Sequence, residues 1–456
     1  MVKHESNEMF DLIGVGLGPF NLGLAALLDP VTEVKAVFFE QKPRFDWHPG
    51  LLMEGTTLQV PFFADLVTMA DPTSRYTFLN YLKEQRRLYH FYFLERFLIP
   101  RREYNEYCRW VSQSLKTCRF GQKVTKIDWV KDRETYFRVE VTSPLTGQTS
   151  VYHAKHLVLG VGSVPSVPPS FQGLPEEDIF HSAHFLERLN RLKEAESITV
   201  VGSGQSAAEV FYTLLQEQKN HGYRLDWLTR STGFFPMEYS KLGLEHFSPD
   251  YIHYFYSLPP KVKEARLKTQ DLWYKGISAA TIADIYELLY ERTVGNQHVP
   301  VRMLAQTEIQ KIEPVPGEKK YRLTCHHREQ NKTFTHESEV VVLATGYQHQ
   351  IPSCVKNLSG LIAWDEKQRY QVSLDYRLKK TQEAENEIFV QNAELHTHGV
   401  GAPDLGLGAY RNSVIINTLT GREIYPVQKR NVFQQFGVPE EINTTEDAHQ
   451  TSSLPV

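Results

Sequence analysis

FDLIGVGLGPFNLGLAA, residues 10–26, decides the fold. Phe10 to Ile13 is an apolar run of the length of a buried parallel strand. The chain then turns through Gly14, Val15, Gly16, Leu17, Gly18 and Pro19 and goes on, from about Phe20, as an Ala/Leu-rich helix. Glycines permit a tight turn and let the backbone approach a pyrophosphate. The phosphate charge then meets the unpaired N–H groups and the dipole at the helix N-terminus. Pro19 stands where many dinucleotide sites carry a third glycine. The next apolar run, Val37 to Phe39, ends in Glu40, near the roughly 20-residue spacing at which an acid bonds a ribose hydroxyl. A glycine-rich turn without a ligand is the alternative reading of the loop alone. The strand before it, the helix after it and the acid at the next strand tip together favour a dinucleotide.

Working outward, 456 residues are enough for two or three domains. A net charge of −4 gives no global pull toward nucleic acid or an anionic membrane. The four cysteines, Cys108, Cys118, Cys325 and Cys354, have neither CxxC nor CxxxxC spacing, which removes disulfide reductases and a zinc site. Unpatterned thiols fit a reducing cytoplasm. The acidic N-terminus (Glu5, Glu8, Asp11) does not read as a signal peptide, and no apolar run suits a transmembrane span.

A second nucleotide signature follows. Ser197 to Val201 reads as a strand, Gly202-Ser203-Gly204-Gln205-Ser206-Ala207-Ala208 as a GxGxxA turn, and Glu209 to Gln218 as its helix. The next strand, Leu225 to Leu228, ends in Thr229-Arg230-Ser231. An arginine and hydroxyls in place of an acid suit the 2′-phosphate of NADP rather than the bare hydroxyl of NAD. An acid-ended site followed by an arginine-ended site suits FAD first and NADPH second, with electrons passing between them. The expected fold is therefore α/β, with two Rossmann-like dinucleotide-binding domains and a mostly helical substrate-binding insertion. The FAD-binding domain is expected over 1–165 and 340–435, the NADPH-binding domain over 166–235 and 296–339, the helical region over 236–295, and a flexible tail over 436–456.

Between these signatures, Pro43, Pro49 and Gly50 mark a loop carrying Trp47 and His48. Asp71 to Ser74 reads as the start of a helix running through Leu82, and Arg101 to Leu115 as a second, amphipathic helix. Residues 124–141 and 151–158 read as hairpin strands, and His156 to Gly162 as a buried strand ending in glycine. The strand Glu339 to Tyr347 is expected to return the chain to the first domain. Oxygenases acting on carbonyl compounds carry a histidine shortly after a Phe-x-Gly run; after Phe171-Gln172-Gly173 this chain has glutamate there.

GVGLGPFNLGLA (14–25), DWHPG (46–50), LQVPFFADLVTMADPTSRYTFLNYL (58–82), GSGQSAAEVF (202–211) and LATGY (343–347) together resemble the flavin-dependent N-hydroxylating monooxygenases, the lysine N6- and ornithine N5-monooxygenases of hydroxamate siderophore synthesis. The resemblance spans about residues 9–425. It implies FAD at Gly14, Gly16, Pro19 and Glu40, with Trp47, His48 and Gln59 on the flavin side, and NADPH at the second loop, Gln205, Ser206 and Arg230. It implies no side chain as classical acid or base: NADPH reduces FAD, O2 gives a C4a-hydroperoxyflavin, and an uncharged amine takes oxygen from it. Homotetramers occur in that family.

One departure is informative. The amino-acid hydroxylases read FLKDL, and their lysine meets the substrate carboxylate. This chain reads Phe62-Phe63-Ala64-Asp65-Leu66, and an asparagine serving the amino-acid end of the ornithine enzymes aligns loosely with Leu244. A buried carboxylate without a cation costs several kcal/mol. The expected substrate therefore lacks one, as in the branch that hydroxylates putrescine or cadaverine. Lysine, ornithine and histamine remain rivals, with Lys241 as the cation that an amino acid would use. A flavoprotein kept for redox sensing or assembly is the alternative from another class. Glu245, Trp273 and Tyr274 are the residues offered to the remote ammonium, which wants an acid or an aromatic face.

Overall fold

A computed structural model describes residues 4–438. Side chains are described from residue 8, and the expected tail lies outside the described residues from 439 onward.

The strand His4–Val15 lies between Ala36–Glu40 and Thr149–Leu159, parallel to both, at the centre of a seven-stranded sheet. Its alternating side chains part to two cores. Leu12 and Phe38 face a layer of helices, while Ile13, Val37 and Phe39 face the antiparallel strands Lys123–Lys131 and Thr135–Thr142. The helix Pro19–Leu28 is apolar almost all round, as a helix must be when it is covered on every side. It packs on the sheet, on Gly408–Thr420 and on Arg101–Ser114. Proline at its first position gives up an N–H that the helix would not have used.

The second sheet is parallel throughout, in the order Val301–Leu304, Arg224–Leu228, Ser197–Val201, Val340–Leu343, Ile179–His181. The helix Gln205–His221 follows its central strand. A separate antiparallel meander, Thr307–Pro314, Tyr321–His327 and Lys332–Ser338, lies beside it. Residues 236–295 form the helices Lys241–Leu244, Pro249–Ser257, Pro260–Thr269, Asp271–Tyr274 and Ala279–Arg292.

Several local expectations shift. The helix after Asp71 begins only at Phe78, because Thr77 accepts the N–H of Asn80 as its cap, while the Asp71 carboxylate is spent on Thr73. A further helix, Leu88–Leu94, precedes Arg101–Ser114. The strand expected over His156–Gly162 is the end of the longer strand Thr149–Leu159. Val340–Leu343 pairs with Ser197–Val201 and so belongs to the second sheet, not, as the boundary at 340 required, to the first. The chain regains the first sheet only at Ile388–Val390. Phe436, the first residue of the expected tail, packs its ring 5.0 Å from those of His246 and Tyr251.

One buried ion pair joins the two sheet-bearing units. Arg101 opens the helix Arg101–Ser114 and donates through Nη1 and Nη2 to the two carboxylate oxygens of Glu209, on Gln205–His221, at 2.9 and 2.8 Å. Their side chains are only 10% and 5% exposed. Removing one partner strands the other charge in the interior, so Glu209→Gln is expected to lower stability by about 3–5 kcal/mol. The double variant Arg101→Met/Glu209→Leu should recover most of that loss, read as unfolding midpoints of purified protein.

Candidate functional site

The first cradle is built by close backbone approach. Gly16 has φ +83°, and a Cβ there would stand 2.6 Å from the Gly160 carbonyl oxygen. At Gly14 it would enter the Phe38 ring, at 2.1 Å. Asn21 fixes the loop by donating to the carbonyl of Gly16 (2.7 Å), and Gln391 in turn donates to Asn21 Oδ1 (2.8 Å). The helix beginning at Pro19 has neither a side-chain cap nor an acid in its first turn, so its end remains open to an anion. Glu40 stands beside this loop and accepts the amides of Leu17 and Lys42, both at 2.9 Å.

The second cradle repeats the plan. Gly202, at φ +146°, leaves no room for a Cβ, which would lie 2.2 Å from the Ala344 carbonyl. Gly204 precedes a helix that again has no side-chain cap and no acid in its first turn; Ser206 lies in that turn. At the tip of the neighbouring strand, Ser231 Oγ donates to Ser203 Oγ at 2.9 Å. Arg230 is exposed and, among the described residues, makes no ion pair. A cation without a partner beside an uncapped helix end is what a phosphorylated ribose requires. Both cradles fit dinucleotides: glycines where a Cβ would collide, open helix ends, an acid beside the first and a free arginine beside the second.

Between the cradles lies an aromatic junction. Trp47, held by the Asn105 side chain through its own amide (2.9 Å), places its ring 5.4 Å from Tyr104 and 5.1 Å from His48. His48 has a left-handed backbone, φ +48°. Its ring meets Tyr347 edge-on at 5.1 Å, and Tyr347 meets His181 at the same distance. Burial pushes both histidines down to about 4, so at neutral pH they are uncharged. Gln59 is tied to the helical region by Tyr239, whose hydroxyl donates to the Gln59 carbonyl at 2.8 Å.

Ala64 is buried. Its neighbour Asp65 accepts the amides of Val67, Thr68 and Phe78 and the Thr68 hydroxyl, so this acid shapes the loop rather than facing a ligand. The wall at position 64 therefore offers a methyl group.

Other expected site residues are engaged elsewhere. Gln205 spends its side-chain amide within the chain. Its Oε1 accepts the Ser278 amide (2.7 Å), and its Nε2 donates to Glu209 (2.9 Å) and Thr281 (3.1 Å), tying the second cradle to the helical region. Glu245 accepts the amides of Phe433 and Gln434 and the Gln434 side chain, so its carboxylate anchors the C-terminal strap. Trp273 packs on His246 at 4.3 Å within the same cluster, and Tyr274 lies under the Lys275 ammonium at 5.1 Å. Leu244 is 40% exposed at the end of its short helix. Sequence reasoning did not single out Arg101, Glu209, Asn105 or Tyr347, whose partners are remote in the chain.

Comparison with known proteins agrees with this geometry. A sequence model described as L-lysine 6-monooxygenase/L-ornithine 5-monooxygenase matches residues 8–349. The rhizobactin siderophore biosynthesis protein RhbE of Rhizobium meliloti is 45% identical, over 94% of this chain and 95% of its own length. A putrescine N-hydroxylase of Acinetobacter baumannii is 43% identical over 98% of this chain and 99% of its own. The crystal structure of DfoA bound to FAD, the cadaverine monooxygenase of desferrioxamine biosynthesis from Erwinia amylovora, superposes with a TM-score of 0.91 at 42% identity. It covers 96% of this chain and all of its own.

Gly16→Ala adds a Cβ where a carbonyl already stands. The variant is expected to retain less than about a tenth of the wild-type flavin after gel filtration, given the strain of a left-handed non-glycine residue and the closed cradle. The absorbance ratio at flavin and protein wavelengths measures it.

Proposed function

The chain belongs to the L-lysine 6-monooxygenase/L-ornithine 5-monooxygenase family, and on that premise we propose that it hydroxylates one terminal amine of putrescine or cadaverine, the first step toward a hydroxamate siderophore. It is a flavin-dependent N-hydroxylating monooxygenase that uses FAD and NADPH. The observation that carries the diamine reading is Ala64: a buried methyl group stands where an amino-acid substrate would need a cation. The names of the relatives, one acting on putrescine and one on cadaverine, support it.

FAD, when bound, supplies the oxygen-activating chemistry, and NADPH supplies the hydride that reduces it. The residues of this chain hold, orient and shield. The first glycine loop, with Glu40, Trp47 and His48, is assigned to the flavin; the second, with Ser206 and Arg230, to NADPH. A free alkylammonium has a pKa of about 10.4, so the reacting nitrogen must shed its proton in the site. The buried aromatic junction and the two neutral histidines favour that uncharged form, because desolvation penalises an ammonium.

The amine and O2 are the small-molecule partners. No helix among the described residues is long and apolar enough to cross a membrane. A cytoplasmic location rests on the four unpaired thiols, which suit a reducing compartment. Self-association is supported by the exposed apolar helix Leu88–Leu94, where Tyr89, Tyr92 and Phe93 are 78%, 70% and 74% exposed, a face that a second copy would cover; a homotetramer is what the family resemblance implies.

NADPH oxidation coupled to hydroxylamine formation tests the reading with putrescine, cadaverine, histamine, lysine and ornithine. A diamine is expected to exceed either amino acid at least about tenfold in kcat/KM, a difference of some 1.4 kcal/mol. Higher efficiency with an amino acid overturns the reading. Arg230→Ala should lower the preference for NADPH over NADH by roughly 10- to 100-fold, the worth of hydrogen bonds to a charged phosphate. The same assay with the two nicotinamides measures it.

A further inference from the structure

We propose that the carboxylate of Asp404 receives the remote ammonium of the diamine, in the small space that Ala64 and Gly406 leave beside it. The inference rests on the diamine reading above.

Asp404 precedes the turn Leu405–Leu407, which leads into the helix Gly408–Thr420. A Cβ built on Gly406 would stand 2.8 Å from Asp404 Oδ1 and 3.8 Å from the Ala64 Cβ. The carboxylate and the Ala64 methyl thus border one space, and that space exists because the two residues have almost no side chain. Gly406 does not need to be glycine for its backbone, since its φ is not positive. A larger side chain at either position would fill the gap.

The acid is also the one left without a counterion there. Asp404 makes no ion pair among the described residues. The nearby Arg411 pairs with buried Glu394 at 3.2 Å and donates through Nη2 to the carbonyls of Gly401 and Ala402; its Nη1 has no hydrogen-bond partner among the described residues, yet it makes no ion pair with Asp404. Burial pushes Asp404 up to about 6, with the amides of Gly406 and Leu407 and the charge of Arg411 acting the other way. Burial thus raises it, and no ion-paired cation brings it back to its ordinary value. Its charge reaches Tyr239, which burial and Asp404 together push up to about 12. Tyr239 in turn holds Gln59, the residue assigned to the flavin side. Asp404 therefore lies close both to Ala64 and to the residues assigned to the flavin side. A primary alkylammonium, compact and with three N–H donors, suits a carboxylate bordered by a methyl group and a glycine. A substrate carboxylate in the same place would meet a like charge.

The test compares cadaverine with 1-aminopentane, which differ only in the remote ammonium. The ratio of their kcat/KM values is taken within each preparation, so that loss of folded protein does not move it. The wild type is expected to prefer cadaverine by about 100-fold, the scale on which removing one partner of a desolvated charge pair is felt. Asp404→Asn should bring the two within roughly threefold, chiefly by raising KM for the diamine. Ala64→Lys should also raise KM for cadaverine, because the new ammonium pairs with Asp404. A wild type indifferent to the second nitrogen overturns the inference. So does an Asp404→Asn enzyme that keeps the preference, or an Ala64→Lys enzyme with unchanged KM. Failure of the underlying reading looks different: the wild type would then prefer lysine or ornithine to every diamine.

Discussion

The ion pair between Arg101 and Glu209 is the constraint on which the site depends. Its partners lie 108 residues apart in the chain, one on a helix beneath the first glycine loop and one on the helix that follows the second. Taking two charges out of water costs several kcal/mol per ion, and mutual attraction does no more than offset that cost when the remaining donors are also satisfied. Here they are: Arg101 also donates to the carbonyls of Leu51 and Thr57, and Glu209 also accepts from Gln205. Gln205 carries the connection on to Ser278 and Thr281 in the helical region. The pair adds little net stability, but its fork geometry permits one arrangement of the two nucleotide cradles. A reductant and a flavin that exchange a hydride need that single arrangement.

Around this tie, the polar groups fall into those already spent and those still open. Asp65, Glu245 and Gln205 have the chemistry of ligand-binding residues, yet each is consumed by backbone amides or neighbouring side chains. Glu40 gives part of its capacity to the amides of Leu17 and Lys42. Arg230 pairs with no acid among the described residues, and Asp404, which accepts the amides of Gly406 and Leu407, pairs with no cation among them. One offers a positive charge beside the second cradle; the other offers a negative charge beside Ala64. An anionic phosphate for the first and a cationic amine for the second complete both, and the two charges differ in sign as the two ligands do. The open groups, rather than every polar group near a cleft, point to what binds.

The parts legible in the sequence are those whose cause is local. A turn that requires φ > 0 favours glycine, so Gly16 and Gly202 announce both cradles, and the apolar runs that flank them announce the parallel strands. The substitution at position 64 was legible only by resemblance, because an alanine has no signal of its own. What escaped is non-local. Nothing near Glu245 shows that residues 433–434 will claim it, and nothing near Gln205 shows that Ser278 will. Val340–Leu343 reads equally well as a strand of either sheet. Its membership is set by pairing with Ser197–Val201, some 140 residues earlier in the chain.

The chemistry asks for opposite treatment of two like nitrogens four or five carbons apart. The nitrogen that takes oxygen must be neutral, and a site closed to water favours that state. The other should keep its proton, and an ionised carboxylate favours that. Apolar contact alone separates substrates differing by a methylene by only about 1–3 kcal/mol, too little to exclude an amino acid that carries the same chain. A charge does more, because the wrong substrate meets repulsion as well as loses attraction. Replacing a cation by a methyl group at position 64 removes the attraction for a carboxylate. An acid facing that methyl group then turns a permissive pocket into one that selects for a second amine.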